Sequence, residues 1–314
     1  MKYAFLGKTG LQVSRLSLGS WLTIGDQLDF NASKEIIHAA YNHGINLFET
    51  AGSYAYGAAE ETLGQSLKDL PRQEIILASK CYFPTTEITQ SPHRTGLTRK
   101  HIIDCVEESL KRLQVEYIDI YQCHRFDSNV PLELIVETFS DLIIQGKILH
   151  WGVSKWSLKS IENSLNLTPR LSDHIVSQQD LFNLFHSEPI SDFDRLEKLG
   201  VSFLTYSPLA RGVLTGKYID GVTKNTRAYQ FPETVYDISE EKNEMSKEFI
   251  KIAKNWGYES AELAYAWCLS FPQVTSVICG VTNLQQLEVA VKSLAITLEN
   301  NQIIELTNLF GIQS

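Results

Sequence analysis

Short apolar runs, each closed by a polar or charged residue, alternate along the chain with longer stretches in which apolar residues recur at helical spacing. Asn46-Leu47-Phe48 leads to Glu49, Ile75 to Ser79 lead to Lys80, and Tyr117 to Cys123 lead to His124. Runs of this length, rich in β-branched and aromatic residues, predict buried strands. After Thr98, which suits a helix N-cap, apolar residues fall on one face at Ile102, Ile103, Val106, Leu110 and Leu113. Ile148 to Val153 predicts another strand, with Ser157 opening the next helix. Val201 to Tyr206 predicts a further strand, and Ser276 to Cys279 the last before a helix beginning near Asn283. Repeated strand and helix units predict a parallel sheet with right-handed crossovers.

Length separates the two main architectures. The 314 residues suffice for two domains or for one (β/α)8 barrel, which runs to ~250 residues or more as a single domain. No Pro/Gly/Ser-rich linker, low-complexity tract or composition break divides the chain, and Gly7, Gly10 and Gly19 lack the Gly-x-Gly-x-x-Gly spacing of an open doubly wound fold. The expectation is one α/β domain over residues 1–314, a (β/α)8 TIM barrel. Residues 3–14 alternate around Gly7-Lys8-Thr9-Gly10, which predicts a β-hairpin capping the barrel bottom.

In such a barrel the strand C-termini converge on one face, so Glu49, Lys80 and His124 are expected around one cavity, with Tyr54 on the loop after Glu49 leaning over it. This set can transfer a proton to a carbonyl. An ordinary phenol has a pKa near ~10, and a neighbouring ammonium is expected to lower it. Lys80 supplies that charge in this reading, Glu49 holds Lys80, and His124 donates a hydrogen bond to the developing alkoxide or relays the proton. Bland alternatives stand beside it: Glu49 as a salt-bridged strand end, His124 as a core histidine, Lys80 as a Schiff-base amine. Trp21, Tyr82, Phe83, Phe126 and Trp156 are candidates for an apolar substrate wall, or simply for core.

Longer stretches carry a family resemblance: Gly10 to Ser14, Asn42 to Phe48, Leu97 to Ile103, Gly146-Lys147-Ile148, and Ser207 to Tyr218. From Met1 to about Phe310 the chain resembles the aldo-keto reductases, and within them the branch of the voltage-gated potassium channel β subunits. The resemblance implies a barrel that uses NADPH to reduce aldehydes or ketones. The family's Asp, Tyr, Lys and His fall on Glu49, Tyr54, Lys80 and His124, so a glutamate replaces the aspartate. It further implies cofactor contacts at Trp21, Ser154, Lys155 and Gln179, with Tyr206 as the platform for the nicotinamide. Ser207, Pro208, Leu209, Arg211 and Lys217 form the phosphate belt, Arg227 meets the 2′-phosphate, and Gly280, Thr282 and Gln286 lie along the nucleotide. The Glu-Asn pair that contacts adenine in the family is Val289-Ala290 in this chain.

Charge and cysteine usage narrow the partners. With 28 Lys+Arg against 37 Asp+Glu, the net charge of -9 gives no general attraction to nucleic acid or anionic membranes. Cys81, Cys105, Cys123, Cys268 and Cys279 are odd in number and lack Cys-x-x-Cys spacing, so free thiols are expected in preference to disulfides or zinc. No metal-ligand cluster, signal peptide or membrane-spanning run is read in the sequence, and a cytoplasmic location is the expectation. Two functional readings stay open: a reductase of small carbonyl compounds, and an NADPH-binding regulatory subunit with weak or no turnover. Glu49 raises the second, and His124 lowers it, because the channel subunits carry Asn at that position. A monomer or a homo-oligomer is compatible with either.

Overall fold

The computed structural model describes residues 1–86, 91–168, 170–224, 226–235 and 237–312. Two loops that the sequence places where a substrate pocket would be shaped, Cys81 to Gly96 and Tyr218 to Glu233, each fall partly outside the described residues. The first two strands, β1 (Tyr3–Phe5) and β2 (Gln12–Ser14), pair antiparallel as the expected hairpin. Eight parallel strands then close a barrel: β3 (Leu16–Gly19), β4 (Leu47–Glu49), β5 (Ile76–Cys81), β6 (Ile118–Cys123), β7 (Ile148–Ser154), β8 (Ile175–Leu181), β9 (Ser202–Tyr206) and β10 (Val274–Cys279). β10 pairs with β3, so the sheet has no free edge.

Around the barrel lie α1 (Phe30–Asn42), α2 (Ala58–Leu67), α3 (Arg99–Leu113), α4 (Leu132–Ile144), α5 (Leu158–Leu167) and α6 (Ile190–Leu199). The short α7 (Arg227–Gln230) is followed by α8 (Glu240–Asn255), α9 (Ser260–Leu269), α10 (Leu284–Lys292) and α11 (Asn300–Leu309). The expected caps are in place. The side chains of Thr98, Ser157 and Asn283 accept from the backbone N–H of His101, Ser160 and Gln286, satisfying donors that the first helical turn leaves unpaired.

Two apolar layers follow from the two-residue period of the strands. Inside the barrel, Leu47, Ile76, Ala78, Ile120, Val176, Leu204 and Ile278 meet Leu6 and Val13 from the hairpin, which thereby closes the bottom. Outside, Phe48, Leu77, Tyr121, Trp151 and Phe203 face the helices. The inward parity continues up each strand to the open end: Leu47 to Glu49, Ile76 through Ala78 to Lys80, Ile120 through Gln122 to His124, Leu204 to Tyr206, and Ile278 to Gly280. β8 departs from this parity. Its pairing with β7 shifts register between Trp151↔Ile175 and Val153↔Gln178, which inserts one extra residue. Val176 is inward below the shift, and Gln179 rather than Gln178 lines the cleft above it.

Candidate active site

The barrel's C-terminal mouth opens into a cleft of about 930 Å3 lined by Glu49, Tyr54 and His124. Lys80 is fully buried behind them. A turn after β4 delivers the phenol: Tyr54 donates its backbone N–H to the carbonyl of Ala51 at 3.0 Å, and a tight turn with left-handed backbone at Ala55 (φ 46°) and Tyr56 (φ 52°) leads into α2. Lys80 Nζ is the hub of the site. It donates to the Glu49 carboxylate, to the Thr50 carbonyl at 3.0 Å and to the Tyr54 hydroxyl at 2.9 Å. His124 packs edge-on against Tyr54, with ring centroids 5.8 Å apart. The proposed four residues are thus brought together from three adjacent strand ends and one loop.

The extra methylene of Glu49 is accommodated by its neighbour on β3. Gly19 pairs with Glu49, and a Cβ there would stand 3.3 Å from Glu49 Oε2 and 2.5 Å from Ile278 Cγ2. Glycine therefore leaves the space into which the longer carboxylate extends. That reach has a second consequence: Gln179 Nε2 donates to Glu49 Oε1 at 3.3 Å, tying the carboxylate to the far wall of the cleft.

The protonation pattern differs from the expectation in one respect. Burial, reinforced by Tyr206, pushes the Tyr54 phenol well above its ordinary pKa, and Arg125 only partly opposes this. Desolvation outweighs the neighbouring ammonium, so Tyr54 keeps its proton at neutral pH. Burial and then Arg125 push the Lys80 amine down, while the adjoining Glu49 carboxylate favours the charged form. Burial, Lys80 and Arg125 hold His124 well below the usual imidazole value, leaving a neutral ring.

The residues expected at the cofactor occupy the rest of the same cleft. Trp21, Ser154, Lys155, Gln179, Tyr206 and Ser207 line it, as do Pro208, Leu209, Arg211, Lys217 and Arg227. Gly280, Thr282 and Gln286 line it beyond β10, as does Val289, whereas Ala290 is buried within α10. Positive φ angles at Ser207 (55°), Ala210 (47°), Arg211 (56°) and Gly212 (95°) curl the chain after β9. Successive turns of this kind can gather backbone N–H groups around an anion. Arg227 lies over the Trp21 ring at 4.6 Å, and burial followed by Arg211 lowers its pKa to about 10. Burial and Arg227 likewise push Lys217 down. Arg211 is anchored by Asp237, itself fully buried and bonded to His186 at 2.8 Å and Lys242 at 2.5 Å.

Among the aromatic candidates, Trp21 and Phe83 line the cleft. Trp156 instead packs edge-on against Trp151 and Phe126, and Tyr82 packs against the core beneath Phe83. Phe126 is turned outward at 37% exposure. Sequence reasoning overlooked Arg125, which lines the cleft beside His124, and Gln27, which bonds Gln230 at 3.2 Å across the entrance. Arg125 was adjacent to an inward strand-end residue, a signal that was available. The Gln27 contact joins residues 203 positions apart, and no local pattern announces it.

A closed parallel barrel whose mouth joins a carboxylate, a buried lysine and a protonated phenol to a cation-lined groove is a barrel of the oxidoreductase class. The chain belongs to the aldo/keto reductase family, whose model matches residues 15–309. It is similar to a probable voltage-gated potassium channel subunit beta of Oryza sativa subsp. japonica, with 37% identity over 308 residues, spanning 94% of this chain and 91% of the relative. A protein of the same description from Arabidopsis thaliana is 35% identical over 310 residues, covering 93% and 91% respectively. No helix among the described residues is long and apolar enough to cross a membrane.

Proposed function

We propose that this protein is an NADPH-dependent reductase of aldehydes or ketones in which Tyr54 is the proton donor. The observation that carries the reading is Lys80 Nζ donating to both the Glu49 carboxylate and the Tyr54 hydroxyl, two groups that line the cleft. When bound, the nicotinamide supplies the hydride that reduces the carbonyl carbon. Tyr54 then gives its proton to the oxygen. A phenol with a raised pKa can do this because an alkoxide is more basic still. The tyrosinate left behind faces Lys80 Nζ at 2.9 Å, a charge-assisted bond that forms fully only as the proton leaves. Glu49 keeps Lys80 cationic for that moment, and neutral His124 can donate a hydrogen bond that orients the carbonyl.

The groove suits a phosphorylated dinucleotide. Arg211, Lys217 and Arg227 line the same cleft, and burial, followed by mutual repulsion, lowers the pKa of Lys217 and Arg227. An anion relieves that repulsion. Arg227 can take a 2′-phosphate through its planar fork, which favours NADPH over NADH. The cleft volume lies at the upper end of the ~300–1,000 Å3 range for small-molecule sites.

A second reading is favoured by Glu49 and by the channel-subunit description of the two relatives: a cofactor-binding regulatory subunit that docks on a membrane protein and turns over slowly. One experiment separates the two. NADPH binding is followed by fluorescence quenching, and cofactor oxidation with a panel of aromatic and short-chain aldehydes is then measured for wild type, Tyr54→Phe and Glu49→Asp. Turnover that disappears in Tyr54→Phe while binding persists supports the reductase. Tight binding without turnover, restored by Glu49→Asp, supports the regulatory subunit. Turnover unchanged in Tyr54→Phe would remove Tyr54 as the acid.

A further inference from the structure

Arg125 follows His124, lines the cleft and is half-buried. Its Nη1 donates to the carbonyl of His124 at 2.5 Å, which fixes the guanidinium at the mouth of β6. The guanidinium carbon lies 5.4 Å from the centre of the Phe83 ring. Phe83 in turn packs edge-on against His124 at 5.1 Å, and His124 against Tyr54 at 5.8 Å. Guanidinium, phenyl, imidazole and phenol therefore form one continuous wall.

The guanidinium of that wall has no ion-pair partner among the described residues, whereas Arg72, Arg99, Arg112, Arg170 and Arg195 each pair with a carboxylate. Its field reaches Tyr54, Lys80 and His124, and Asp180 feels it less than it feels Lys155. A guanidinium has five N–H donors, and the bond to the His124 carbonyl uses only one. The cations proposed for the phosphates, Arg211, Lys217 and Arg227, follow β9, three strands away from β6, so Arg125 stands on the side of Tyr54, Lys80 and His124.

We propose that Arg125 receives a carboxylate on the substrate, so that the compounds reduced are oxo acids whose carbonyl and carboxylate are joined by an apolar segment lying on Phe83. The proposal rests on the reductase reading for the reaction, though not for the binding of the acid. Arg is suited to this task because its planar fork meets both carboxylate oxygens, which a lysine does as a point charge only.

The test compares 4-carboxybenzaldehyde with its methyl ester, which has the same ring and carbonyl but no charge, in wild type, Arg125→Met and Arg125→Lys with saturating NADPH. The wild type is expected to favour the acid, and the ratio of kcat/KM for acid over ester is expected to fall about 10- to 100-fold in Arg125→Met. Arg125→Lys should keep part of it. A role exerted through Tyr54 or through packing would change both substrates alike and leave the ratio intact. A second measurement needs no turnover: benzoate added to the NADP-loaded protein should raise the Tm of wild type and not that of Arg125→Met. If no aldehyde is reduced yet benzoate discriminates the variants, the acid site stands and the reductase reading falls. If acid and ester are reduced with the same ratio in wild type and Arg125→Met, or benzoate shifts both proteins equally, the proposal is overturned.

Discussion

Replacing Glu49 by Gln removes the charge opposite Lys80 and changes little else. Lys80 Nζ keeps the Thr50 carbonyl at 3.0 Å and the Tyr54 hydroxyl at 2.9 Å, and the glutamine carbonyl oxygen can still accept a bond. The loss is therefore chiefly that of a countercharge to a side chain with no solvent exposure. Removing one partner of a buried ion pair costs ~3–5 kcal/mol, and the retained hydrogen bonds place this case near ~3 kcal/mol. At about 2 °C per kcal/mol for a large domain, Tm at pH 7 should fall by about 6 °C. The variant also has a pH signature. Burial already pushes Lys80 below the ordinary lysine value, and without the carboxylate it falls further. The unfolded chain then binds more protons than the folded one between the folded pKa and ~10.4, so stability rises with pH across that window. Wild-type Lys80 also lies below ~10.4, so the variant gains on wild type only between its own folded pKa and that of wild type, and calorimetry across neutral and alkaline pH should show Glu49→Gln regaining part of its deficit in that interval. An unchanged Tm at pH 7 with no relative gain at alkaline pH would mean that Glu49 does not hold Lys80 as a cation, and the proposed stabilisation of tyrosinate would lose its basis.

Three further outcomes are expected. Tyr54→Phe should abolish carbonyl reduction while leaving NADPH affinity within about twofold, because the lost hydroxyl faces Lys80 and not the phosphate groove. Arg227→Ala should weaken NADPH by tenfold or more and NADH by much less, since a charge-assisted bond to the 2′-phosphate is worth ~1.5–3 kcal/mol; equal losses in titrations of both cofactors would take Arg227 off that phosphate. His124 is held neutral by burial, Lys80 and Arg125, so its contribution to stability is complete above the unfolded pKa of ~6.5 and is lost as pH falls through that value toward the lower folded one. His124→Gln should therefore flatten the decline of Tm below pH 6.5, and an imidazole resonance of His124 that titrates near 6.5 would contradict the assignment.

What the sequence determined is what depends on local spacing. The apolar runs before Glu49, Lys80 and His124 recover β4, β5 and β6, and strand parity makes all three residues point inward with Leu47, Ile76 and Ile120. The caps at Thr98, Ser157 and Asn283 were equally legible, because each cap is satisfied within three residues. Two barrel strands were not. β3 has only four residues, and β8 carries Ser177, Gln178, Gln179 and Asp180 in succession, a polar run that hides a strand buried in the sheet. Tertiary structure alone decided the rest, because those features depend on residues distant in sequence. The extra residue in β8 turns Gln179 toward the cleft, the absent side chain of Gly19 makes room for Glu49, and enclosure by the barrel mouth moves the Tyr54 phenol upward where the nearby lysine by itself would have moved it down.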